Sequence, residues 1–343
     1  MTDLAPAIHI FNQIGSALML ALLLCSALLA ASGLINLFRA RPFLPQASTH
    51  LLTATAVQFF LGLCLIGWFH YQIYLQISLE LPMQLGQWLN QQLAAMNQGA
   101  AYGLPLYDPD APPRYLIPPW IENQRYYFWF MCFAVMAIFG HRRLANHRFH
   151  GTLYLLLATQ VWVLYSYADP FREPLPRFLA AIAPWYEPGL AVGERMELFM
   201  SLYPQLVFYY NASYMWMHPP LLFISYACIT LFFAASVFML VRRELAIETL
   251  GYTYAKLGYF LLTMGILLGY PWALKAWGPN WWWDPKVLSS IMLWAVFSTY
   301  LHTRLYANKR GMWYFSAGLG ILCFLAMVFT FVSSYLFPGE HSL

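Results

Sequence analysis

Charge is what this sequence has least of. Only 9% of its 343 residues are Asp, Glu, Lys or Arg, while 61% are hydrophobic and the mean hydropathy is +0.54. A water-soluble globule is thereby excluded, because a chain of this length has too little polar surface to coat one. Carboxylates are scarcer than cations, 14 against 18, and the resulting charge of +4 is concentrated in one set of loops. It therefore gives no reason to invoke nucleic acid as a partner. The five cysteines, Cys25, Cys64, Cys132, Cys228 and Cys323, form no CxxC or CxxCH pair. That excludes a disulfide framework, a thiol redox motif and haem covalently held by this chain. All five fall in apolar runs, where they read as small buried residues. No repeat, low-complexity linker or soluble domain is visible. The first apolar run is too long, and too poor in preceding basic residues, for a cleavable signal peptide, so it is expected to stay as a span.

Apolar stretches that can span a bilayer, at roughly 20 residues each, occur at about 11–38, 52–78, 125–141, 151–168, 217–241, 257–273, 287–305 and 313–336. The predicted fold is all-α: a polytopic helical bundle of about eight transmembrane helices. One set of loops holds eleven cations, among them Arg39, Arg142, Arg243, Lys256 and Arg310, against only Glu244 and Glu248. By the positive-inside rule this set is cytoplasmic, with both termini on the outer face. Two longer outer segments follow, at about 79–124 and 169–216. The first, with Gly103, Pro105, Pro109, Pro112 and Pro113, reads as an extended or turned loop. In the second, Met196, Phe199, Met200 and Tyr203 have the spacing of an amphipathic helix at the interface.

One stretch departs from this lipid-soluble background. AWGPNWWWDPK, residues 276–286, packs Trp277, Trp281, Trp282 and Trp283 beside Asp284 and Lys286. An aromatic belt at the membrane surface accounts for scattered Trp and Tyr, but poorly for this cluster. Nine histidines sort by depth. His141, His147 and His150 sit in HRRLANHRFH, read as a basic, solvated inner loop. His70 lies within a span and should face the bundle interior, either hydrogen-bonded or as a ligand. His302 lies near the inner end of its span. His218 precedes two prolines that suit the first turn of a helix, and His341 follows the last span, so both fall on the outer face with the tryptophans. Two imidazoles beside a flat aromatic surface form the constellation expected for bis-histidine haem, with indole N–H groups and Lys286 available to propionates.

TMGILLGYPWALKAWGPNWWWDPK followed by LWAVFSTYLHTR resembles the tryptophan-rich WWD domain of the haem-handling protein superfamily. Within it the match looks most like the CcsA (ResC) subunits of System II cytochrome c synthases. The likeness runs from about NASYMWMHPPLLFISYA to the C-terminal HSL; the preceding 200 or so residues match in hydropathy and span layout. The chain is accordingly divided into N-terminal membrane helices with two outer loops, 1–210, and a WWD membrane domain, 211–343. The resemblance implies that His218 and His341 are axial ligands of a haem at the external WWD surface. It implies too that His302 helps to bind haem within the membrane. The haem would be non-covalent haem b, handled as a substrate and presented to the CxxCH thiols of an apocytochrome c. A CcsB (ResB)-like membrane protein is the implied partner, and a bacterial inner membrane or an equivalent energy-transducing membrane the implied location. No side chain is expected to act as a nucleophile, so the chain would be a synthase subunit that works by positioning.

Two departures stand out. The CcsA pattern usually continues WDPKE, whereas Val287 occupies the glutamate position, and HPPLL replaces the usual HVSMM. Loss of that outer carboxylate keeps a second class open, a haem-bearing membrane subunit of a respiratory assembly working with a multihaem cytochrome. A haem-free transporter or scaffold is the third. For His302, an external partner or His141 fits as the second ligand better than His70, which lies much nearer the outer face.

Overall fold

The computed structural model describes residues 4–39, 44–98, 103–306 and 310–339. Apart from an isolated bridge between Ser78 and Arg114 it is helical. In chain order the helices are α1 (Ala5–Phe38), α2 (Leu44–Gln76), α3 (Met83–Asn97), α4 (Gln124–Arg143), α5 (His147–Tyr167), α6 (Pro176–Ile182), α7 (Val192–Gln205), α8 (His218–Val241), α9 (Leu245–Trp277), α10 (Pro285–Thr303) and α11 (Arg310–Leu336). The segments carrying α1, α2, α8, α9 and α11 are long and apolar enough to cross a membrane, and the protein is a multi-pass helical membrane protein. The other long helices, α4, α5 and α10, have 20, 21 and 19 residues. At 1.5 Å per residue that is about the thickness of the hydrocarbon core.

Backbone polar groups in lipid must be satisfied within the helix, and helices then associate by close packing. Small residues provide it here. On α9, Gly251, Gly258 and Gly265 recur every seventh residue and all face α8. A Cβ added to them would stand 2.8 Å from Ala235 Cβ, 2.9 Å from Cys228 Cβ and 2.6 Å from Leu222 Cδ2. Across the same seam the Ser225 hydroxyl donates to the Gly258 carbonyl at 2.7 Å. Gly33 of α1 and Gly151 of α5 bring two backbones together, since a Cβ on either would come within 2.9 Å of the other's carbonyl oxygen.

Two loop readings change. The first outer segment contains α3, whose Leu89 and Leu93 are fully buried. Its polar composition hid it, but Asn90 and Asn97 clasp the backbone of Tyr107 and Leu104 and fold the proline-rich stretch over it. HRRLANHRFH is almost all helix, with only Leu144 to Asn146 between α4 and α5. Asn146 caps α5 by accepting from Arg148 N and Phe149 N at 3.1 Å each. The rings of His141 and His150 are consequently 4.0 Å apart and packed rather than solvated. The amphipathic helix expected in the second outer segment is present as α7, with Phe199 and Tyr203 buried.

Candidate functional site

Helix α9 ends at Gly278, whose φ of 73° lies in the left-handed region that side chains disfavour. Pro279 then starts a single 3₁₀ turn, Gly278–Trp283. Asp284 closes the turn and opens α10: its Oδ1 accepts from Lys286 N at 2.9 Å and Val287 N at 3.2 Å. The aspartate of the motif is therefore an N-cap that sets the angle between the tryptophans and α10. Trp281 is buried and stacks on Trp282 at 4.1 Å, and Tyr270 braces both rings at 5.4 and 6.0 Å. Trp282 and Trp283 remain 46% and 76% exposed, which makes them an outward aromatic surface.

His218 begins α8 and lies in a notch of α9. A Cβ on Gly269 would fall 2.6 Å from its Cε1, so only glycine admits the ring there. Its Nδ1 is 2.6 Å from the Gly265 carbonyl. A carbonyl can only accept, so Nδ1 carries the proton and the neutral ring has its lone pair on Nε2. Such a backbone bond orients an imidazole and raises its basicity as a ligand. Trp272 stacks near the ring at 6.3 Å and meets Trp277 edge-on at 4.6 Å, joining His218 to the tryptophan loop through one aromatic series. Trp272 is itself held by donation from its Nε1 to the Phe208 carbonyl at 2.5 Å. That carbonyl belongs to a π turn, Leu206–Tyr210, which follows Pro204. Trp272 also walls a cavity of about 510 Å³ with Phe208, Tyr214 and Lys275.

His341 lies outside the described residues. The described chain ends at Gly339, where a Cβ would stand 2.5 Å from Pro285 Cδ and 2.7 Å from Asp284 Oδ2, so the segment after α11 returns to the WWD loop. His302 is far along α10, exposed on the bundle surface, with its Nδ1–H donating to Ser298 O at 2.9 Å. His70 is 5% exposed and donates from Nδ1 to Ile117 O at 2.8 Å. Both ring nitrogens of His141 are committed, to Tyr154 Oη at 2.8 Å and Thr49 Oγ1 at 2.9 Å, which removes it as a partner for His302. Among the described residues no group of three or more His, Cys, Asp or Glu side chains could hold a metal ion. All five cysteines are free thiols.

Sequence reasoning missed Gly269 and Trp272, the residues that seat His218. The signal was there in the GxxxG pair Gly265 and Gly269 and in a tryptophan one turn ahead of the cluster. Of the predicted residues, Trp277, Trp281, Trp282, Trp283, Asp284 and Lys286 share one loop and its capped helix, and His218 joins them through Trp272.

Similar proteins have names that agree with this layout. Over 84 residues the chain is 43% identical to a protein named cytochrome c biogenesis protein CcsA from Cyanidium caldarium, covering 23% of this chain and 28% of the relative. A protein of the same name from Synechococcus sp. (strain CC9311) is 40% identical over 91 residues, 25% of this chain and 30% of the relative. Another from Trachelium caeruleum is 36% identical over 114 residues, 33% and 35%. The matches thus span about a third or less of these relatives' length. No solved structure matches the chain. The model of the family described as cytochrome C assembly protein matches residues 122–341. This match takes in α4 to α11 and starts well before the WWD motif. Covering well over half of the sequence, it shows that the chain belongs to the cytochrome C assembly protein family.

Proposed function

We propose that this protein serves cytochrome c maturation by holding haem b at the outer face of an energy-transducing membrane and presenting it to apocytochrome c. The observation that carries the reading is the seat of His218. The imidazole is oriented by a backbone carbonyl, admitted by Gly269 and joined through Trp272 and Trp277 to an exposed tryptophan surface. The donor set suits haem iron, which takes neutral imidazoles axially, and stacked indoles suit the flat macrocycle. In this reading His341 is the second axial ligand. The last described residue rests on Asp284 and Pro285, and two further residues of chain reach at most about 7 Å.

The chain's own groups have positioning roles. His218 fixes one face of the macrocycle, Trp281 to Trp283 orient its edge, and Asp284 holds that loop rigidly on α10. Thioether formation adds a cysteine S–H of the apocytochrome across a haem vinyl group: carbon–sulfur and carbon–hydrogen bonds replace the sulfur–hydrogen bond and the carbon–carbon π bond, without net oxidation. Two imidazoles keep the iron coordinatively saturated during that addition. His302, on the bundle surface, is offered to a second ligand from a CcsB-like membrane partner.

The test is deletion of the gene in a host with no second CcsA-like protein, scoring holocytochrome c by haem staining. Loss of covalent haem, restored by the wild-type chain and not by His218→Ala, is the expected result. Normal holocytochrome levels would overturn the reading. Stoichiometric co-purification with a multihaem cytochrome would move the protein to the respiratory class.

A further inference from the structure

The outer half of α4 carries polar groups that the framework of histidines and tryptophans does not use. Arg125 and Trp129 are four residues apart and so share a helical face. Trp129 stacks on Phe331 of α11 at 5.4 Å with planes 4° apart, and meets Tyr226 of α8 edge-on at 5.8 Å. Its Nε1–H is buried with no hydrogen-bond partner among the described residues, and the Nε–H of Arg125 is in the same condition. Arg125 is steered by Tyr126: Nη2 donates to the phenol oxygen at 3.2 Å, and the guanidinium lies 4.9 Å from the ring centroid. Lys286, in the first turn of α10, is within electrostatic reach of Arg125, of Asp284 and of Arg177 at the start of α6. One turn further on, the hydroxyls of Ser289 and Ser333 stand 3.0 Å apart and tie α10 to α11.

The nearby carboxylates are engaged with backbone. Glu122 receives Arg177 N and Phe178 N, both at 3.0 Å, and Asp284 caps α10 through Oδ1. Both carboxylates lie within electrostatic reach of the cations, Glu122 of Arg125 and Asp284 of Lys286, but neither accepts from Arg125 Nε–H or Trp129 Nε1–H. Buried N–H groups without acceptors are costly. What chemically completes such a site is an oxyanion.

We propose that Arg125, Trp129 and Lys286 form an oxyanion-binding site at the outer ends of α4, α10 and α11 that receives a carboxylate of the porphyrin. The inference rests on the haem-handling reading and adds the second point of attachment. His218 grips the iron from the α8–α9 side of the tryptophan loop, and this site holds the acidic edge from the α4–α10 side. A lipid phosphate offers the same chemistry and is the competing source.

The experiment uses the full-length protein in phosphatidylcholine nanodiscs, titrated with iron protoporphyrin and separately with its dimethyl ester, which lacks both carboxylates. Affinity is read from the Soret band. The free acid is expected to bind at least tenfold more tightly than the ester. Arg125→Gln and Trp129→Phe should each bring that ratio to within about twofold, with ester affinity and Soret position unchanged. Trp129→Phe keeps the stack on Phe331 and so guards against a variant that fails to fold. Phosphatidylglycerol discs, whose headgroup phosphate is not neutralised by a choline cation, separate the sources: an unchanged preference supports a porphyrin carboxylate, and its disappearance assigns the site to anionic lipid phosphate and overturns the proposal. Equal binding of acid and ester by the wild type overturns this proposal alone. Failure to bind either porphyrin overturns it together with the haem-handling reading.

Discussion

At His218, placement depends on residues that do no chemistry. The ring fits because position 269 has no side chain, and its orientation is set because Gly265 O accepts from its Nδ1–H. Gly269→Ala puts a methyl 2.6 Å from Cε1, so the ring must leave its notch. The expected result is a helical, membrane-inserted protein with haem affinity reduced at least tenfold, checked by circular dichroism and Soret titration side by side. Gly251→Ala meets Ala235 on the same seam, away from the histidine. It should cost roughly 1–3 kcal/mol of stability through overpacking and leave haem spectra unchanged. The tryptophans, Asp284 and His218 were legible in sequence because their density is anomalous in an apolar chain. Gly269 and Trp272 were not, since a glycine or tryptophan in a span looks like ordinary membrane packing until the neighbouring helix is in place. Arg125 left no trace of its own in the sequence, because the orphan state of its Nε–H belongs to the packed bundle.

At the scale of the element, helix ends decide where functional groups point. Asp284 caps α10, and removing the cap by Asp284→Ala should cost about 1 kcal/mol and loosen the tryptophan loop. Asp284→Asn retains the acceptor and should behave nearly as wild type, a contrast that thermal unfolding in detergent would resolve. At the other end of α10, Glu248 is 2% exposed and pairs with Arg304 through both oxygens, at 2.8 and 3.2 Å. Arg304 lies 4.2 Å from the ring centroid of Tyr252, so α9 and the end of α10 bearing His302 are joined. Glu248→Ala strands a partly buried cation and should destabilise the protein by about 3 kcal/mol. Glu248→Gln keeps one acceptor and should lose less, and equal unfolding temperatures for all three proteins would contradict this assignment. Periodicity and apolar length located the long helices, because burial in lipid leaves a strong compositional trace. α3 left no such trace: its outward face is polar, and besides the buried Leu89 and Leu93 it is held by asparagine contacts with the segment that follows it.

For the molecule as a whole, haem handling at the outer face requires the WWD loop and the Arg-rich turns to lie on opposite sides of the bilayer. In a background without native cysteines, Trp283→Cys should react with a membrane-impermeant maleimide in intact cells, and Arg243→Cys only after permeabilisation. Reversed labelling would invert the topology and with it the haem site. The central claim is that the purified protein binds haem through His218, and absorption spectroscopy tests it most directly. Reduced-minus-oxidised and pyridine haemochrome spectra should show haem b in the wild-type protein, with a low-spin Soret band that is lost or shifted in His218→Ala and restored by added imidazole. A wild-type protein with no Soret absorption, or a His218→Ala variant with an identical spectrum, would contradict the account.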